Sequence, residues 1–227
     1  GVNLDLEHLP APLPIYRGTV RSDEWLAFPA SLAQTGGRLV SVWGTDRRRD
    51  ESGGLSVSAA YAVQEGLVWL DLQLAAGATV YPDLTPFFPF ADRMQRATAD
   101  LLGLRAEGQK DNRPWLNHGA WPPDRFPLRE EASSAKGSTD RPVDDYAFVR
   151  VAGDGVHEIP VGPVHAGIIE PGHFRFSVVG EKVLRLEERL GYVHKGIEKR
   201  FEALSLTEGH RLAGRVSGDS TVAYALA

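Results

Sequence analysis

The sequence predicts an α+β protein, with a two-layer domain of helix and antiparallel sheet followed by a β-hairpin and further helices. Three observations predict it. Residues 23–34 read as a helix and lead into three apolar strand-like runs separated by turn signals. Residues 90–103 read as a second helix that stops on a glycine. Far downstream, residues 174–179 and 183–190 alternate apolar and polar around Gly180-Glu181-Lys182, the pattern of a hairpin.

In chain order, residues 1–20 are rich in proline and predict an irregular, extended arm. Ser22 is placed to cap the first helix, with Asp23 and Glu24 in its first turn. Gly36-Gly37 ends it. Residues 38–45 form a strand, residues 46–54 a polar turn, and residues 55–63 and 67–74 a hairpin around Gln64-Glu65-Gly66. Residues 81–89 hold three prolines and cannot be a central strand. In the second helix Met94, Ala97, Leu101 and Leu104 share a face, and Arg96 with Asp100 has the i,i+4 spacing of an ion pair. Residues 105–129 are too long for a plain connection, so they are expected to dock on the domain. Residues 130–146 are rich in Ser, Gly and charge and read as a linker. The expected division is a domain over 1–135, a linker over 136–150 and a second domain over 151–227. In that second domain residues 192–204 read as a helix, and Thr207 is a plausible cap for another.

Composition narrows the function. The 227 residues have a net charge of −5, and the longest basic run, Arg47-Arg48-Arg49, is closed by Asp46 and Asp50. That argues against nucleic acid. No apolar run nears the roughly 20 residues of a membrane span, and the acidic beginning of the sequence is unlike a signal peptide. With no cysteine, disulfides and thiolate ligation of zinc or iron–sulfur clusters are excluded in this chain. No GxGxxG, P-loop or HExxH pattern supports nucleotide binding or a zinc protease. His165 and His173 flank a Gly/Pro-rich loop. They are the best site candidates by residue type, for a ligand, a metal or a proton, with a purely structural loop as the alternative.

The motifs resemble a known family. Gly162-Pro163-Val164-His165, then Glu170-Pro171-Gly172-His173-Phe174-Arg175, then the GYVHKGIEK run over 191–199, look like the start of the large subunit of group 4 NiFe hydrogenases and of the quinone-site large subunit of complex I. Upstream, Arg96, Asp100, Gly103 and Pro127-Leu128-Arg129 resemble the C-type, 30 kDa subunit of complex I, although Gln95 and Ala97 stand where that pattern has glutamates. A fusion of the two parts is similar to the hydrogenlyase-type subunit. The family's large-subunit part continues as a long helical bundle, so the resemblance implies a truncated piece of a longer subunit.

The resemblance also implies roles and losses. His165 and His173 match the two loop histidines of the complex I branch, where a histidine meets the quinone headgroup. Arg215 matches an arginine near the cluster-facing side. Ser217 and Ser220 occupy the positions of the nickel-binding cysteines. Nickel there needs soft thiolates, so no metal is expected at that pair. The complex I tyrosine is absent too, since Gly218 follows Ser217. Ser217, Asp219 and Ser220 could otherwise hold a hard cation, though one carboxylate is a thin ligand set. His194, Glu198 and Glu202 would share one face of the 192–204 helix, as a proton path, a metal stripe or a solvated face.

The implied function is a subunit of a membrane-associated hydrogenase- or NADH-quinone-oxidoreductase-like redox complex without its own NiFe centre. The alternative is a non-catalytic structural or assembly subunit. No cofactor is expected in this chain; an iron–sulfur cluster is expected in a partner subunit, with quinone as a possible ligand. The expected partners are that iron–sulfur small subunit and membrane subunits of the same complex. The expected place is cytoplasmic, peripheral on the inner face of the cytoplasmic membrane, and the isolated chain is expected to be inactive.

Overall fold

The computed structural model describes residues 3–50, 53–129, 146–164 and 170–226. The chain divides into two units, Gly1–Asn117 with Trp121–Asp140, and Arg141–Ala227 with His118–Ala120. Both mix sheet and helix, so the architecture is α+β.

The first unit is built on a five-stranded sheet. Its elements are β1 (Glu7–Leu9), β2 (Ile15–Val20), α1 (Ser22–Gln34), β3 (Arg38–Asp46), β4 (Leu55–Val63) and β5 (Gly66–Gln73). The strand order is β1-β2-β5-β4-β3. The meander β3-β4-β5 is antiparallel as expected. The arm over residues 1–20 is not irregular, however. β2 joins the sheet parallel to β5, from Ile15 opposite Leu67 to Val20 opposite Leu72, and β1 folds back on β2. Nothing local signals that pairing, because its partner lies about 50 residues away.

Ser22 is not the cap of α1. It is the first helical residue, and Arg21 is the cap, with its backbone N–H donating to Glu24 Oε2 at 2.9 Å. One sheet face carries Val42, Val57, Ala59, Tyr61, Leu70 and Leu72, all buried. Trp25 and Leu32 of α1 are buried with them, and the Phe28 ring meets Tyr61 edge-on at 5.2 Å.

The chain continues through β6 (Val80–Pro82), α2 (Ala91–Leu102) and β7 (Arg105–Glu107). The proline-rich stretch contributes only β6, which pairs with β7 in a separate two-stranded sheet. α2 buries Ala91, Gln95, Thr98, Leu101 and Leu102. Its buried face is rotated from the expected one: Met94 and Ala97 are not among these residues, because Gln95 turns inward to bond the Leu84 N–H and Asp83. α2 approaches β3 closely at Gly44. A Cβ there would stand 2.6 Å from Leu102 Cδ1 and 3.1 Å from Thr98 Cγ2. Gly44→Val is therefore expected to destabilise this unit by roughly 2 kcal/mol through overpacking, read as a lower urea midpoint. A midpoint equal to the parent's would show that α2 simply yields.

Gly103 ends α2 in the left-handed region, φ 68°. There the Phe126 ring leaves no room for a Cβ, which would come within 2.6 Å of it. The long loop after β7 docks on α2, as its length suggests. Leu128 N–H donates to Leu101 O at 3.0 Å and Arg129 Nε to Leu102 O at 2.7 Å, which satisfies carbonyls the helix end leaves open. The Arg96–Asp100 pair does not form. Arg96 pairs with Asp92 and Asp111 and donates to the carbonyls of Arg113 and Pro114. Asp100 Oδ2 accepts the N–H groups of Trp115, Leu116 and Asn117 at 2.7, 2.6 and 3.2 Å. Backbone donors of a docked loop outcompete a neighbour on an exposed helix face, where such a pair contributes only about 0.3–0.5 kcal/mol.

The second unit holds a three-stranded antiparallel sheet, β8 (Val156–Val164), β9 (Gly172–Val179) and β10 (Lys182–Arg189), in the order β10-β9-β8. The hairpin β9-β10 turns at Gly180 as expected. β8 is a strand that the sequence reading does not assign; Gly162 and Pro163 form an irregularity between Val161 and Val164 while pairing resumes on either side. Three short helices follow, α3 (Ile197–Phe201), α4 (Leu206–Ala213) and α5 (Thr221–Leu226). The single helix over 192–204 is corrected to α3 alone, because Gly191 and Gly196 take positive φ, 94° and 67°. Ser205 rather than Thr207 caps α4. Its hydroxyl and backbone exchange bonds with Glu208, the Ser-x-x-Glu box that the sequence carries. The Glu208 carboxyl is held below its ordinary range by those bonds.

Candidate functional site

His173 is the second residue of β9, and its position fixes its chemistry. Strand alternation puts His173, Arg175 and Ser177 on one face of the second sheet, with Phe174, Phe176 and Val178 on the other. Nδ1 of His173 lies 3.0 Å from the Gly162 carbonyl oxygen. A carbonyl only accepts, so the ring donates from Nδ1. In the neutral ring that leaves Nε2 with a free lone pair, as an acceptor. Nε2 is buried and, among the described residues, has no hydrogen-bond partner. Gly162 makes this possible: its φ is 87°, and a Cβ there would stand 2.4 Å from the Gly172 oxygen.

The surroundings of His173 are aromatic and cationic. Residues 146–150 lie across this face. The Phe148 ring is 5.1 Å from the His173 ring, and the Arg175 guanidinium carbon sits 4.1 Å from the Phe148 centroid. Arg189 stands over Tyr146 at 4.6 Å, and Val149 N–H donates to Glu187 Oε2 at 3.0 Å. Arg175 is held from below by Glu158 at 3.2 Å. The opposite face of the same sheet carries Ile159, Val161, Val183 and Leu186, all exposed.

The other predicted site residues are elsewhere. His165 lies outside the described residues. Arg215 is exposed in the turn after α4. Ser217 is half-buried and extended, and leads into a single tight turn, Gly218–Ser220. Its carbonyl accepts the Thr221 hydroxyl at 3.2 Å and the Ser220 N–H at 3.3 Å. Lys195 Nζ donates to the Val216 carbonyl at 2.7 Å, tying this turn to the GYVHKGIEK run. Among the described residues no hydrogen bond or ion pair links His173 to the 215–220 segment. The proposed stripe of His194, Glu198 and Glu202 is corrected: His194 precedes α3, so the three do not share a helix face, and Glu202 pairs with Lys199 at 2.6 Å.

The residues present do not fit a nickel centre. Two serine hydroxyls and a lone exposed Asp219 are hard oxygen donors. Among the described residues no cluster of three His, Cys, Asp or Glu side chains is placed to hold a metal.

Sequence reasoning misses a polar cluster in the first unit. On the sheet face opposite α1 and α2, buried Asp71 accepts from Ser58 Oγ, from Trp69 Nε1 at 2.8 Å and from Arg17 Nε at 2.7 Å. Arg17 also lies 4.3 Å from the Trp69 centroid. The alternation of Trp69 and Asp71 on β5 is the available signal. Every oxygen of that carboxylate is occupied, so the cluster fixes the sheet rather than offering a site. A cleft of about 120 Å³ beside α2 is bordered by Arg96, Asp100, Gln109 and Asn117. Their polar atoms are already bonded into the docked loop. Asp111 in the same loop is held well below the usual carboxylate range, chiefly by its bond from Arg113.

Comparison with known proteins agrees with this architecture. The family described as "Respiratory-chain NADH dehydrogenase, 30 Kd subunit" matches residues 19–137. The chain is 32% identical over 201 residues to formate hydrogenlyase subunit 5 of Escherichia coli (strain K12), covering 85% of this chain and 35% of that one. It is 32% identical over 206 residues to hydrogenase-4 component G of the same organism, covering 86% and 36%. It is 27% identical over 152 residues to the C/D subunit of NADH-quinone oxidoreductase of Phocaeicola vulgatus, covering 60% and 29%. The chain thus spans about a third of the length of the curated relatives it matches. Among the described residues no helix is long and apolar enough to cross a membrane. With the family match running over more than half of its length, the chain belongs to the family of the respiratory-chain NADH dehydrogenase 30 kDa subunit.

Proposed function

We propose that this chain serves as a subunit of a membrane-associated redox complex of the hydrogenase/NADH-quinone oxidoreductase type, and that it carries no NiFe centre of its own. The observation that carries the reading is the 201-residue match to formate hydrogenlyase subunit 5, which at 85% coverage reaches both units. The missing nickel follows from Ser217 and Ser220 in the positions that the resemblance gives to thiolates. Electrons would come from an iron–sulfur cluster in a partner subunit, since no cysteine is available here. Membrane subunits of the same complex would hold the assembly at the inner face of the cytoplasmic membrane.

A quinone, when bound, supplies a two-electron, two-proton acceptor. Toward such a ligand this chain offers His173, with His165 beside it in the family pattern. The bond from Nδ1 to Gly162 fixes the ring's orientation and leaves Nε2 to take up a proton or accept a hydrogen bond from a hydroxyl. To donate to a quinone oxygen, the ring must first take up a second proton at Nε2. Arg215 would line the cluster-facing side.

A second reading, a structural or assembly subunit that has lost the redox role, is favoured by the absence of both thiolates and the tyrosine. Metal analysis tests the first reading. The tagged chain, purified with its complex from host membranes in mild detergent, should bring iron with it and no nickel. Roughly one nickel per chain would overturn the loss of the centre, and a preparation without iron would overturn the iron–sulfur partner.

A further inference from the structure

The segment over residues 146–150 and the His173 ring make up a device that the redox reading does not require. We propose that this segment is a strap that closes over His173, and that the Nε2 lone pair becomes available to a hydrogen-bond donor only when the strap lifts. Two observations carry it. Among the described residues Nε2 is a buried acceptor with nothing to accept from, although Nδ1 is engaged. A buried polar atom without a partner is costly, so the closed arrangement needs compensation. That compensation is in the strap. Phe148 lies against the imidazole and is clamped by Arg175, Tyr146 is clamped by Arg189, and an exposed bond runs from Val149 N–H to Glu187. The clamps are cation–π contacts on a sheet face, strong enough to hold the strap yet involving no buried apolar core, so they can be exchanged for a ligand.

The two sides of the ring therefore have different tasks. Gly162 holds the ring still, and the strap decides whether anything reaches it. The ligand chemistry that fits the opened site is a hydroxyl or another donor, since the proton on Nδ1 is already used. The strap's use in turnover rests on the proposed function, but its existence does not, and the test reads ring access directly.

Diethyl pyrocarbonate acylates unprotonated imidazole nitrogens, and peptide mass mapping then gives a rate for each histidine. In the intact chain, exposed His157 and His210 serve as internal standards. His173 should react roughly tenfold or more slowly than they do. Phe148→Ala should bring it up to their rate. Tyr146→Ala, which loosens the strap without touching the ring, should give an intermediate rate, while Phe148→Leu should stay protected. The unchanged rates of His157 and His210 and an unchanged melting curve show that the variants are folded. His173 reacting as fast as His157 in the parent would overturn the proposal, because the ring would not be covered. Continued protection in both Phe148→Ala and Tyr146→Ala would overturn it as well, because something other than the strap would be covering the ring.

Discussion

Asp100→Ala is expected to lower the melting temperature of the first unit by roughly 10 °C, corresponding to about 3 kcal/mol. One carboxylate oxygen accepts three consecutive backbone N–H groups, from Trp115, Leu116 and Asn117. Without it those donors stay in a partly buried loop with no acceptor, and each such loss costs about 1–3 kcal/mol. The effect should spread, because Arg96 and Arg129 hold the same loop to α2 from either side. Asp100→Asn keeps an oxygen at the same place and should lose about half as much. Calorimetry of the three proteins decides the matter. A drop of under about 2 °C for Asp100→Ala would mean that water replaces the carboxylate, and that the loop is not organised by it.

In the complete complex, His173→Ala is expected to lower turnover by roughly 10²-fold or more while leaving assembly intact, the loss typical of a positioned proton-transfer group. The informative companion is His173→Asn. The asparagine amide can still donate to the Gly162 carbonyl, so the local backbone is held as in the parent, but nothing remains at the place of Nε2. Turnover should be as low as in the alanine variant, and detergent gel filtration should show the same assembly. Full activity in His173→Asn would assign the histidine to holding the β8–β9 connection and would favour the structural reading of the chain. Loss of assembly in the alanine variant but not in the asparagine variant would point the same way.

The parts of this molecule that are legible in the sequence are those written locally. β4 starts and ends where its alternation does, at Leu55 and Val63. α2 stops at Gly103 because only glycine takes that turn easily. The Ser205–Glu208 box is also local, and Thr207 is the wrong cap because it lacks an acidic residue three positions on. β2 is not legible, because its edge is supplied by β5. Nor is β8, because glycine and proline at 162–163 mask a strand whose pairing recovers beyond them. Periodicity misplaces the buried face of α2 because it counts Gln95 as outward, although one buried and one part-buried hydrogen bond draw it in. Of the site, His173 is identified by motif alone. The bond to Gly162, the stranded Nε2 and the Phe148 cover need coordinates, since they join residues from three separate stretches.

The parallel pairing of β2 with β5 also orders events during synthesis. Ile15–Val20 is made about 50 residues before its partner Leu67–Leu72, a delay of several seconds at ordinary elongation rates. Until then β1, three residues long, is the strand partner of β2 already made. The hairpins of the antiparallel meander close over short turns and join residues far nearer in sequence. The β2–β5 pairing therefore closes a far longer loop than either hairpin does, and the Arg17–Asp71 contact is closed with it.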